Sequence, residues 1–137
     1  MIGIAVSQYN SNITNRLLQG ALETLENAGY TSDLIHTVQV PGAWELPLAV
    51  QRLFGDGRVQ AVLALGCVIR GETTHDEHIN RTVSHALMDL MLSNRKPVGF
   101  GLLTCNTLEQ AIHRAGGNVG NKGCETAEAV LAMLSPG

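Results

Sequence analysis

The stretch that most limits what this chain can fold into runs from Val59 to Ile69, VQAVLALGCVI, where apolar residues follow one another almost without interruption. A strand with one wet face alternates apolar and polar side chains. One without that alternation has both faces covered, the pattern of a parallel strand sandwiched between helices. Directly after it the sequence turns polar, as RGETTH (70–75). A strand that merely filled a core would stop in a plain turn, so this ending marks a polar site at the strand's carboxyl end.

The flanking segments supply the helices such a strand needs. IGIAVS (2–7) is a short apolar run that breaks off at QYNSN, reading as a first strand and its loop. Ile13, Leu17, Leu18, Ala21, Leu22 and Leu25 then recur at helical spacing, with Asn12 as N-cap and Gly29 as the stop. SDLIHTVQV (32–40) reads as a second strand ended by Pro41-Gly42, and Trp44, Leu46, Leu48, Ala49, Leu53 and Phe54 as a short helix closed by Gly55 and Gly57. After the central strand (59–69), a long helix is predicted from about Asp76 to Asn94, its stripe carried by Ile79, Val83, Ala86, Leu87, Leu90 and Met91. PVGFGLLT (97–104) is a fourth strand, and 108–115 and 125–134 are helices. Strands alternating with helices in this way specify a doubly wound α/β sheet with right-handed crossovers.

Composition narrows the function classes. The 137 residues fit one domain, long enough to bury on the order of two-thirds of the unfolded chain's surface. With 45% hydrophobic and 15% charged residues the chain is of the compact soluble type, and the scarcity of surface charge favours an oligomer with buried faces. A net charge of −3 and the lack of any Lys/Arg run exclude nucleic acid and anionic membranes as partners. No membrane span or signal peptide is read, so the expected location is cytosolic. Cys67, Cys105 and Cys124 are odd in number and widely spaced, as reduced thiols are.

In doubly wound sheets ligands sit outside the carboxyl ends of the strands, and polar or special residues follow every one here: QYNSN, PGAWELP, RGETTH and TCNT. In RGETTH, Gly71 permits a sharp turn, and the N–H groups of Glu72, Thr73 and Thr74 just before a helix suit an anion such as phosphate; the alternative is a simple helix cap. His75 at that mouth can exchange protons near neutral pH, or be an ordinary surface residue. His75 and His78 share a helix face, but spacing provides no third metal ligand, so no metal is expected. Glu45, wedged among apolar residues and two prolines, either binds something or supports a helix start. Arg114, at a helix end before a Gly/Asn-rich loop and Lys122, marks either a plain turn or a phosphate clamp.

Taken together, QYNSNIT, PGAWELP, GCVIRGETTH, PVGFGLLT, EQAIHRAG and NKG, in this order and at these separations, resemble the 6,7-dimethyl-8-ribityllumazine synthase family across nearly the whole chain. The resemblance implies a flavodoxin-like three-layer sandwich in a single domain (1–137), with a four-stranded parallel sheet and helices on both faces. It implies condensation of 5-amino-6-(ribitylamino)uracil with 3,4-dihydroxy-2-butanone 4-phosphate, releasing phosphate and water, without metal or organic cofactor, as the penultimate step of riboflavin biosynthesis. By the same resemblance Tyr9 stands where an aromatic stacks on the pyrimidine, and Ala43, Trp44 and Glu45 match the segment holding the ribityl chain. Cys67, Val68 and Ile69 match the strand end whose backbone meets the pyrimidine edge. Glu72 and Thr73 match the phosphate turn, Arg114 the guanidinium on that phosphate, and His75 the proton-transfer residue. Phe100 and Arg114 would come from a neighbouring subunit, making the unit a pentamer, or an assembly of pentamers, with sites between subunits.

Two departures from the family pattern stand out. Tyr9 adds a hydroxyl at the stacking position, and Asp76 follows His75 where the family commonly has an aromatic. On assembly, the chain starts almost at its first strand, so the leading segment that joins pentamers in capsid-forming members is expected to be lacking, whereas the compact GGNVGNKG loop has the length seen in capsid formers. The alternatives are an archaeal-type riboflavin synthase of the same fold, a non-enzymatic flavin- or nucleotide-binding module, and, more distantly, a thiol enzyme using Cys67.

Overall fold

The computed structural model describes residues 1–71, 75–117 and 120–134. Four strands, β1 (Ile2–Ser7), β2 (Ile35–Val40), β3 (Ala61–Ile69) and β4 (Val98–Cys105), form one sheet in the order β2-β1-β3-β4. Every pairing is parallel, with Ile2 opposite Ile35 and Ala61, and Val62 opposite Val98. The connecting helices are α1 (Ser11–Asn27), α2 (Leu46–Phe54), α3 (Asp76–Asn94), α4 (Leu108–Arg114) and α5 (Lys122–Leu134).

The absence of alternation in β3 has the cause read from it. Ala61, Leu63, Leu65, Cys67 and Ile69 face a core shared with Ile13, Leu17, Ala21 and Leu25 of α1 and Ala127 and Val130 of α5. Val62 and Ala64 face the opposite core, against Leu46, Val50 and Leu53 of α2 and Val83 and Leu87 of α3. Successive side chains of a strand point to opposite faces, so a strand between two cores must be apolar at every position. Leu63 and Leu65 are fully buried, and truncation of either to Ala would remove about 2–5 kcal/mol.

Several boundaries differ from the sequence reading. Residues 32–34 form a single 3-10 turn, and β2 begins only at Ile35. The third strand begins at Ala61 rather than at 59, and Ala43–Glu45 is a 3-10 turn ahead of α2. Helix α1 starts at Ser11, so Asn12 lies inside it; Asn10 is at the cap, with φ 63°, and caps through no side-chain bond. Helix α5 starts three residues before 125, because Asn121 Oδ1 accepts the N–H groups of Gly123 and Cys124 while its Nδ2 donates to Arg16 O of α1. Gly123 makes this seam possible: a Cβ there would lie 1.9 Å from Leu17 O. The NKG motif is thus a clamp between α1 and α5.

Candidate active site

Along this sheet the chain winds from β1 to β2 toward one edge and from β3 to β4 toward the other, so the winding reverses between β1 and β3. The loops after those strands part there and leave a crevice, the usual ligand position in open α/β sheets. A hollow of about 330 Å³ opens at that point, lined by Tyr9, Gly42, Ala43, Trp44, Cys67, Val68, Ile69 and Ile79.

Each wall has a local cause. Beyond β1 the ladder continues, as Gln8 N–H donates to Val40 O at 2.8 Å and Tyr9 N–H to Pro41 O at 3.0 Å, which sets Tyr9 beside the PGAW segment. Asn10 then adopts the left-handed conformation that Asn tolerates better than most residues, turning the chain into α1. Its Nδ2 donates to Cys67 O at 3.1 Å, tying the first loop to the end of β3. In the 3-10 turn, Glu45 Oε1 accepts the Gly42 N–H at 2.9 Å, so the carboxylate supports the start of the helix, the second of its two readings, and Glu45 is not among the lining residues. Trp44 is 53% and Tyr9 52% exposed, so two aromatic side chains stand at the rim over an apolar floor. The His78 imidazole stacks on the Trp44 indole with centroids 6.2 Å apart and planes at 28°.

Past β3, Arg70 N–H donates to Cys105 O at 2.7 Å, and Gly71 follows with φ 87°, the sharp turn expected of it. Glu72 and Thr73 lie outside the described residues. His75 is exposed at the cap of α3, with Asp76 and Glu77 in the helix's first turn. Among the described residues no group of three or more His, Cys, Asp or Glu side chains gathers to hold a metal ion.

Phe100 and Arg114 stand elsewhere. They line a second hollow of about 360 Å³ with Leu102, Leu103, Thr104, Lys122 and Glu125. Both faces of β4 contribute to it, so it wraps the outer edge of the edge strand. Phe100 is 46% exposed, and Arg114 Nη1 lies 3.9 Å from Cys105 Sγ. Burial pushes the Cys105 thiol up, and the Arg114 guanidinium offsets part of that shift. The two hollows share no lining residue. One offers aromatic faces to a flat heterocycle; the other offers Arg114 and Lys122 to an anion.

Sequence reasoning therefore found Tyr9, Ala43, Trp44 and Cys67 to Ile69 as neighbours but missed three participants. Asn10 falls in a loop that the sequence pattern gives no role, although a polar residue between a strand and a helix is itself a signal. Ile79 falls in the helix stripe, and its place four residues after His75 puts it on the same helix face. His78 stands out in the sequence only as a metal-ligand candidate.

A parallel sheet wound in this order, with an aromatic-rimmed hollow at the reversal point, defines a flavodoxin-like α/β protein with a site suited to a flat small molecule. The sequence pattern of the family described as 6,7-dimethyl-8-ribityllumazine synthase matches residues 1–136. Relatives of that name include a Rhodopirellula baltica protein, 55% identical over 97% of this chain and 86% of its own length. One from Desulfovibrio desulfuricans is 44% identical over 97% and 85%, and one from Edwardsiella ictaluri 47% identical over 98% and 86%. The chain belongs to the 6,7-dimethyl-8-ribityllumazine synthase family. It is a transferase whose condensation forms dimethylribityllumazine in riboflavin biosynthesis, and nothing in the comparisons favours the riboflavin synthase or binding-module alternatives. Family membership carries with it small-molecule substrates and oligomeric assembly.

Proposed function

We propose that the chain, as a single domain spanning 1–137, joins 5-amino-6-(ribitylamino)uracil to 3,4-dihydroxy-2-butanone 4-phosphate in a site completed between subunits of a cytosolic pentamer. The observation that carries this is the separation of the two hollows, one aromatic and one cationic, with no residue in common. A pyrimidine stacked on Tyr9, with its ribityl chain along Ala43, Trp44 and Glu45 and its edge at Cys67 to Ile69, fills the first. The butanone phosphate is held by Glu72 and Thr73 and by an Arg114 from the adjoining chain, with Phe100 beside it. Among the described residues no helix is long and apolar enough to cross a membrane.

The reaction needs positioning and proton movement more than a strong nucleophile. The amine adds to the ketone carbonyl and water leaves to give an imine; phosphate is eliminated to leave an enol that tautomerises to a ketone, and the ribityl-bearing nitrogen adds to that carbonyl and closes the ring with loss of a second water. His75 serves as general acid and base for these transfers, while holding the two substrates together supplies effective molarity worth several kcal/mol, up to about 7–11 in the best-aligned cases. An Arg114 fork on the phosphate dianion orients the leaving group.

The test is a mixing assay of purified protein with both substrates, following the lumazine absorbance band against the uncatalysed background. Saturation in both substrates is expected. A rate no greater than background from folded, oligomeric protein would overturn the reading.

A further inference from the structure

His78 stacks on Trp44 yet does not itself line the first hollow. Trp44 sits on one 3-10 turn, held by the Glu45 carboxylate on the Gly42 N–H and by the Glu45 N–H on Gly42 O at 3.2 Å. Its side chain is half-exposed, so close packing does not fix the indole as it would in a core. Yet this indole forms one wall of the first hollow. A wall free to change rotamer would have to be ordered each time a ligand binds, at about 0.5–1.5 kcal/mol per immobilised side chain.

His78 stands behind that wall. It is in the first turn of α3, whose next residue, Ile79, lines the hollow, while His78 itself does not. The imidazole plane is inclined 28° to the indole with centroids 6.2 Å apart, an offset aromatic contact of the attractive kind. Helix α3 also carries Val83 and Leu87 in the core, so the backbone bearing the imidazole is fixed by burial. The indole is thus referred to a rigid helix rather than to its own short turn.

We infer that His78 is a positioning residue for the ribitylaminouracil subsite: by stacking on Trp44 it holds the indole as a preformed wall, and it acts on the bound molecule only through that ring. The inference rests on the assignment of the first hollow to the pyrimidine substrate. Stacking is what the role requires, so His78→Phe retains it and His78→Ala abolishes it.

Trp44 is the chain's only tryptophan, so its emission reports this contact in the assembled, substrate-free protein. Acrylamide quenching of Trp44 should rise in His78→Ala and return toward the wild-type value in His78→Phe. KM for the ribitylaminouracil should rise roughly two- to tenfold in His78→Ala, with kcat and KM for the butanone phosphate unchanged, and recover in His78→Phe. Equal quenching in wild type and His78→Ala overturns the inference, and so does altered quenching with an unchanged KM. Failure of the functional assignment shows itself separately, as wild-type protein that forms no lumazine. An unfolding midpoint for each variant separates a loosened indole from a misfolded chain.

Discussion

If each site takes the first hollow of one chain and the second hollow of its neighbour, two inactive variants should repair one another. His75→Ala removes the proposed proton-transfer group at the cap of α3, and Arg114→Ala removes a guanidinium that lines the second hollow, while neither residue lines the first. In a closed ring every interface is equivalent, so random co-assembly of equal amounts gives a chain with its His75 with probability one half and a neighbour with its Arg114 with the same probability. About one quarter of wild-type activity should return, whatever the number of subunits in the ring. Wild type co-assembled with the double variant discriminates further: sites between subunits again give about one quarter, sites within one chain about one half. The measurement is lumazine formation after joint unfolding and refolding, with separately refolded, unmixed variants as the baseline. Activity no greater than the sum of the two variants alone, together with one half for wild type and double variant, would refute the composite site.

Taken singly, His75→Ala should slow condensation while leaving the Kd of the pyrimidine near normal, read by single-turnover kinetics beside equilibrium binding; weakened binding with unchanged turnover would contradict its role. Arg114→Ala should raise KM for the phosphorylated substrate far more than for the pyrimidine, whereas an equal loss for both would indicate failed assembly. Gly123→Ala places a methyl 1.9 Å from Leu17 O, forcing α1 and α5 apart at a cost of about 3 kcal/mol. Thermal unfolding should show a Tm lowered by about 10 °C, against no change for Gly57→Ala, where a Cβ meets nothing within 4 Å. Arg58 beside Asp56 lowers that carboxylate from its ordinary 3.8 to about 2. A depressed carboxylate stabilises above its unfolded pKa and loses that contribution as pH falls through the folded one. Asp56→Asn should therefore cost little at neutral pH, because this pair is exposed, and its small difference from wild type should shrink as pH falls from 3.8 through about 2 in urea titrations. A difference undiminished at pH 2 would contradict that assignment.

The fold was legible because burial on both sides leaves a mark that needs no structure to read. Positions 61 to 69 serve two cores alternately, which forces β3 to be apolar throughout, and the stripes of α1 and α3 follow from the single face each buries. Where the chain reverses was less legible. Apolar spacing locates helix α1 but not its start, since Asn10 ends the loop by a backbone conformation and a bond to Cys67 O, neither of which has a periodicity. Helix α5 was read three residues short because Lys122 and Gly123 resemble loop; only contact with Leu17 and the Asn121 clamp shows why glycine must stand there.

By itself, then, the sequence determined the class of fold, the carboxyl ends of the strands as the place of the site, and, through six short motifs in register, the family. Those properties depend on side-chain pattern along the chain, which local spacing records. The tertiary structure decided how the residues divide: Tyr9, Ala43, Trp44 and Cys67 to Ile69 around one hollow, Phe100 and Arg114 around another, Glu45 turned to the Gly42 N–H, and His78 against Trp44. These depend on distances between segments far apart in sequence, set by the order β2-β1-β3-β4 and by which helix packs on which face. A linear pattern carries no measure of such distances until the sheet has brought the ends of its strands together.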